Sequence, residues 1–155
     1  MSVIAIVDDQ STNRQSFTML AKSTGPDIKV EAFADPSVAL AWIARHHPDL
    51  IITDYRMPGM DGADFTGAVR GITGCATTPV IVITAYDDPS FRVRALEAGA
   101  TGFLQTPIRH AEFQNQVRSL LSPERRPGPA ACLVSAPRQA DRSTNDGKPT
   151  TRTAG

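Results

Sequence analysis

Four places in the chain carry residue types suited to handling a phosphoryl group. Asp8 and Asp9 stand together after the apolar run "VIAIV", Asp54 follows "LIIT", Thr84 closes "VIVIT", and Gln105 and Thr106 follow "GFL". Carboxylates held close together repel one another, which raises their proton affinity until a cation relieves them. Magnesium suits that task, because it is a hard ion that prefers oxygen, binds through one or two carboxylates and keeps waters for substrate oxygens. Beside such an ion Asp54 can act as a carboxylate nucleophile toward phosphorus, with the Thr84 hydroxyl donating to an oxygen of the group in transfer.

Taken singly, each residue has a plainer reading. An acidic pair before a helix can be an N-cap, Asp54 can begin the turn into "MPGMDG", and Thr84 can be an ordinary β-branched strand residue. Their joint placement is what favours chemistry. In a doubly wound parallel sheet, ligands bind outside the carboxyl ends of the strands, and all of these residues close or follow predicted strands.

Those strands are "VIAIV" (Val3 to Val7), "IKVEAF" (Ile28 to Phe33), "LIIT" (Leu50 to Thr53), "VIVIT" (Val80 to Thr84) and "GFL" (Gly102 to Leu104). Near-continuous Val/Ile runs predict parallel strands buried on both faces. Amphipathic stretches alternate with them. "DPSVALAWIARHH" and "DDPSFRVRALEAG" each place Asp before Pro, an N-cap followed by proline at the first helical position, and Gly99 supplies a stop in the second. A last helix over residues 109–121 gathers Phe113, Val117, Leu120 and Leu121 on the face that should dock on the sheet. Five strands alternating with five helices imply right-handed crossovers and a three-layer α/β sandwich.

The 155 residues balance to zero formal charge and are sufficient for one ordinary core. Residues 1–121 hold 10 Lys/Arg against 13 Asp/Glu, so no basic surface points to direct nucleic-acid binding. The two cysteines, Cys75 and Cys132, have no metal-binding or disulfide spacing, and no run is long enough for a membrane span or a leader. A cytoplasmic protein without membrane attachment is the expectation. After Leu121 the composition turns to Pro, Arg, Ser, Thr and Gly, so residues 1–121 are expected to fold and residues 122–155 to form a disordered tail with one apolar patch, "AACLV".

With "IAIVDDQ", "PDLIITDYRMPGMDG", "TPVIVITAY" and "ALEAGATGFLQTPI", the sequence over residues 3–121 resembles the receiver domain of two-component response regulators, the family that includes the bacterial chemotaxis regulator. The resemblance implies a flavodoxin-like fold with strand order 2-1-3-4-5. It implies that Asp54 accepts phosphate from the phosphohistidine of a sensor histidine kinase or phosphotransfer protein. Asp9, Asp54 and the Arg56 carbonyl would ligate Mg2+ directly, and Asp8 would help through water. Thr84 would follow the phosphoryl group and Phe103 would turn inward with it, reshaping the face made by the fourth helix, fifth strand and fifth helix. That face would then select a downstream protein target, or a second copy of the chain through Phe91, Val93 and Leu96. Tyr86, two residues beyond Thr84, would shield the site from water, and Pro107 could follow a cis bond.

Two positions depart from the family pattern. Thr106 precedes Pro107 where the family has lysine, so a neutral hydroxyl on a short stem replaces an ammonium; a charge-assisted hydrogen bond is roughly twice as strong as a neutral one. Either Thr106 merely fills a loop or coupling to phosphate is weakened, and Arg56 could swing its guanidinium over to restore charge. Phe103 keeps the bulk of the commoner tyrosine but lacks its hydroxyl. The leading reading is a phosphorylation-dependent switch rather than an enzyme, expected to stand alone. The alternative is a pseudo-receiver that keeps the fold and serves, without phosphate, as an interaction or dimerisation module. A phosphatase with an aspartate nucleophile would need a second acid where Arg56 stands, and no GxxxxGK[ST] or GxGxxG loop supports nucleotide binding.

Overall fold

A computed structural model of the chain describes residues 2–121; the expected tail, with its "AACLV" patch, lies outside the described residues. The elements alternate throughout: β1 (Ser2–Val7), α1 (Ser11–Lys22), β2 (Ile28–Phe33), α2 (Pro36–His46), β3 (Leu50–Asp54), α3 (Gly62–Arg70), β4 (Val80–Thr84), α4 (Pro89–Glu97), β5 (Gly102–Gln105) and α5 (His110–Leu121). All strand pairs are parallel and their order is β2-β1-β3-β4-β5. This is the predicted flavodoxin-like sandwich.

Side-chain alternation along the central strands divides the core in two. Ala5, Val7, Ile51, Val80 and Val82 face α2, α3 and α4, where they meet Ala39, Ile43, Phe65, Val69 and Ala95. Ile4, Ile6, Leu50, Ile52, Ile81 and Ile83 face α1 and α5, where they meet Phe17, Ala21, Phe113 and Val117. Phe17 and Phe113 stack at 6.2 Å between ring centres and fasten α1 to α5. Burial on both faces holds for β1, β3 and β4 but not for β2, whose residues are half-buried or exposed, nor for all of β5. The sheet order explains this, because β2 and β5 are edges with a neighbour on one side only.

The punctuation read from the sequence is in place. Asp35 and Asp88 each accept a hydrogen bond from the backbone N–H two residues on, at Ser37 and Ser90, with Pro in the first turn. Gly99 ends α4 at φ 112°, a left-handed conformation that glycine adopts without penalty. Two strands run one residue further than expected, so Asp54 and Gln105 are the last residues of β3 and β5. Among the described residues no helix is long and apolar enough to cross a membrane.

Candidate functional site

The parallel sheet sends the ends of its strands to one rim. Val7 pairs with Thr53 and Asp54 with Ile83, which brings the residues following β1 level with the end of β3. One carboxylate oxygen from each of Asp8, Asp9 and Asp54 lies within 4.8 Å of the others. Asp8 is buried, Asp54 half-buried and Asp9 exposed. The acidic pair does not cap α1, whose N-cap is Gln10 without a side-chain capping bond. Instead Asp8 Oδ1 accepts the Gln10 N–H at 2.9 Å, and Oδ2 is buried with no hydrogen-bond partner among the described residues.

Burial is the main cause that pushes the Asp54 carboxyl up to about 7, with the Asp8 and Asp9 charges adding to it and the backbone N–H groups of Tyr55 and Arg56 opposing it. Asp8 is also raised, first by burial and then by Asp9, against the pull of Gln10 N–H, Asn13 and Arg14. A buried acceptor without a partner costs about 1–3 kcal/mol. Three carboxylates gathered within 4.8 Å, one of them carrying an unpartnered buried oxygen, fit a hard divalent cation, which takes oxygen ligands and relieves their repulsion.

The raised carboxyl has a consequence for stability. The folded chain holds a proton on Asp54 that the unfolded chain releases near pH 4, so metal-free stability falls as pH rises from about 4 to about 7. Asp54→Asn lacks this slope. Above pH 7 without divalent ions it is expected to exceed the wild type by about 1–2 kcal/mol, after allowance for the solvent that reaches the carboxylate, or roughly 5 °C in Tm. Thermal unfolding in a chelator at pH 5 and pH 8 checks this; equal gaps at the two pH values would contradict it.

Thr84 is buried beside the cluster. Its Oγ1 accepts the Tyr86 N–H at 3.1 Å, which leaves the hydroxyl hydrogen available to donate. Thr106 N–H donates to the Thr84 carbonyl at 2.9 Å, continuing the β4–β5 ladder, and Thr106-Pro107 is cis. Arg56 does not point into the cluster. Its guanidinium lies 4.8 Å from the centre of the Tyr86 ring, and Tyr86, half exposed, meets Phe91 edge-on. Phe103 is half-buried with Arg92 over its ring at 5.9 Å, and with Tyr86 it lines a cavity of about 390 Å3 between α4 and β5. On α4, Val93 and Leu96 are exposed, whereas Phe91 turns inward and stacks on Tyr55 at 4.3 Å. Positions two apart on a helix lie about 200° apart around its axis, so Phe91 and Val93 do not share a face.

Three residues with a part in the site were not singled out by sequence. Arg14 Nη1 donates to the Asp8 carbonyl at 2.8 Å. Tyr55 is fully buried under Phe91. Gly62 lies so close to the end of β3 that a Cβ would stand 2.8 Å from the Asp54 carbonyl oxygen. The position of Arg14 in the first turns after the acidic pair was visible, but only the fold distinguishes it from a solvated arginine.

Residues 4–118 match the response regulator receiver domain family. The chain is 41% identical over 118 residues to the cyclic di-GMP phosphodiesterase response regulator RpfG of Xanthomonas campestris, a match covering 76% of this chain and 31% of that protein. It is 38% identical over 117 residues to the response regulator PleD of Caulobacter vibrioides, covering 76% of this chain and 25% of that protein. It thus spans less than a third of the length of these curated relatives. Among solved structures, chemotaxis protein CheY4 of Vibrio cholerae superposes with a TM-score of 0.72 at 30% identity, covering 78% of this chain and 99% of that one. The receiver domain of a sensor histidine kinase from Pseudomonas aeruginosa, with a magnesium ion coordinated in its active-site cleft, gives 0.70 at 28% identity, covering 77% of this chain and 97% of that one. The family match takes in every strand from Ile4 onward and the whole acidic rim, and on that ground this chain belongs to the response regulator receiver domains.

Proposed function

We propose that the chain is a phosphoacceptor receiver in which Asp54 takes a phosphoryl group from the phosphohistidine of a sensor histidine kinase or phosphotransfer protein. The observation that carries this reading is the convergence of Asp8, Asp9 and Asp54 within 4.8 Å, with a buried, unpartnered oxygen on Asp8. In the transfer, an Asp54 oxygen forms a bond to phosphorus as the phosphorus–nitrogen bond of the donor breaks and the imidazole keeps the electron pair. Asp9, Asp54 and the Arg56 carbonyl would hold Mg2+, with Asp8 acting through water. The ion, when bound, supplies positive charge to the phosphoryl oxygens and keeps Asp54 ionised. Thr84 donates its hydroxyl to the group once it is on Asp54, and Tyr86 with Arg56 stacked on it screens the mouth from water.

The output in this reading is a change in the face made by α4, β5 and α5, transmitted through Thr84 and Phe103. Val93 and Leu96 give that face exposed apolar contacts for a downstream protein or a second copy of the chain. Incubation with acetyl phosphate and Mg2+ followed by intact-mass measurement tests the reading. A gain of one phosphoryl group supports it, and no gain overturns it in favour of the phosphate-independent interaction module that Thr106 alone recommends.

Thr106→Lys restores a charged donor at the end of β5. The variant is expected to bind the phosphoryl mimic beryllofluoride about tenfold more tightly, since a charged hydrogen bond replaces a neutral one. Unchanged affinity by calorimetry would mark Thr106 as a loop residue without a part in phosphate recognition.

A further inference from the structure

The cavity of about 390 Å3 between α4 and β5 is lined by three carboxylates, Asp87, Asp88 and Glu112, against one guanidinium, Arg92, with the rings of Tyr86 and Phe103 among them. Asp88 is committed to α4, because the Ser90 N–H and hydroxyl both donate to its Oδ1. Asp87 and Glu112 are exposed and form no ion pair among the described residues. Arg109, just before α5, is not in the lining and does not offset them there. Unbalanced carboxylates beside aromatic faces attract a cation, first by long-range charge and then by contact with a ring. The chain itself shows the fit, since the Arg92 guanidinium lies over the Phe103 ring at 5.9 Å from its centre. One turn along α4 from Arg92, Leu96 is exposed, with Val93 exposed nearby, so apolar surface continues from the acidic mouth.

We infer that the downstream partner of this receiver presents a basic side chain, arginine or lysine, next to apolar residues, and inserts it into the cavity between α4 and β5. This rests on the reading of α4, β5 and α5 as the output face. Arg92 is then a resident cation that competes with the partner's. When Phe103 turns inward, the ring beneath Arg92 is withdrawn and the carboxylates are left to a cation from outside. The sign of the Arg92 effect separates this from a face that binds acidic partners, for which Arg92 would be an attracting residue.

The test selects displayed random peptides against the full chain with Mg2+ and beryllofluoride, and measures the affinity of the selected peptides by calorimetry. They are expected to carry Arg or Lys beside apolar residues. Asp87→Asn with Glu112→Gln, which leaves the Asp88 cap of α4 in place, should bind them about tenfold more weakly, while thermal unfolding confirms that the variant is folded. Arg92→Ala without beryllofluoride should bind them several-fold more tightly than the wild type does. Acidic or uncharged selected peptides, no selected peptides, equal affinity for the double variant, or weaker binding to Arg92→Ala would each overturn the inference. So would a dimer, seen by sedimentation, that the double variant abolishes, since the cavity would then belong to a second copy. Basic peptides that need the two carboxylates but ignore beryllofluoride would uphold the cavity's preference and remove the phosphoryl switch from it.

Discussion

Asp54→Asn is expected to abolish phosphorus uptake from acetyl phosphate while leaving a folded protein that is, without divalent ions, more stable than the wild type. The two effects have one cause. Asp54 ends β3 half-buried, and that burial, with two other carboxylates within 4.8 Å adding to it, pushes its carboxyl up to about 7. The strained charge that makes the fold less stable at neutral pH is the same oxygen that would attack phosphorus. An amide of the same shape removes the repulsion and cannot form the acyl phosphate. Intact-mass measurement should show one added phosphoryl group on the wild type and none on the variant, a loss below the detection limit rather than a partial one. Phosphorus appearing on Asp54→Asn at the wild-type rate would place the acceptor elsewhere, and a variant that fails to unfold cooperatively would show the carboxylate to be structural. Such opposition between stability and activity is common where a site concentrates like charges.

The second large effect is expected at Gly62, the first residue of α3. Its N–H donates to the Tyr55 carbonyl at 2.6 Å, and Asp61 before it caps the helix by accepting the Asp64 N–H at 2.8 Å. A Cβ at position 62 would lie 2.8 Å from the Asp54 carbonyl oxygen, 2.9 Å from the Tyr55 Cα and 3.2 Å from Val82 Cγ1. The first two are backbone atoms at the end of β3 and just beyond it, and cannot turn aside as a side chain would. Gly62→Ala should therefore cost about 3 kcal/mol, the upper part of the overpacking range, and lower Tm by roughly 10 °C. Because the displaced atoms belong to Asp54 and its successor, phosphorylation by acetyl phosphate should fall with stability. Gly67 in the same helix provides the control. It is exposed and a Cβ there meets nothing within 4 Å, so Gly67→Ala should stabilise by roughly 0.5–1 kcal/mol through helix propensity. Equal effects at the two glycines would show that propensity, not close approach, governs position 62.

The sequence by itself determined the alternation of elements, the layers and the identity of the acidic rim. Apolar runs of Val and Ile, the Asp-Pro helix starts and Gly99 are local signals, each read by the backbone within a few residues. A parallel sheet then sends the carboxyl ends of its strands to one edge whatever fills the loops, so Asp8, Asp9, Asp54 and Thr84 could be assigned to one place before any distance was known.

Distances and directions were decided by tertiary packing. Which strands are edges follows from strand order, which spacing along the chain does not encode. Arg56 and Arg14 are both arginines close in sequence to a site aspartate, yet the ring of Tyr86 in the loop between β4 and α4 draws Arg56 outward, while α1 holds Arg14 against the Asp8 carbonyl. Phe91 faces Tyr55 rather than a partner because residues from two remote segments meet there. The orphan oxygen of Asp8 and the raised carboxyl of Asp54 depend on how much water the surrounding helices exclude. Residue types and order set what the rim is made of; long-range packing sets its charge, its reach and the neighbours each side chain finds.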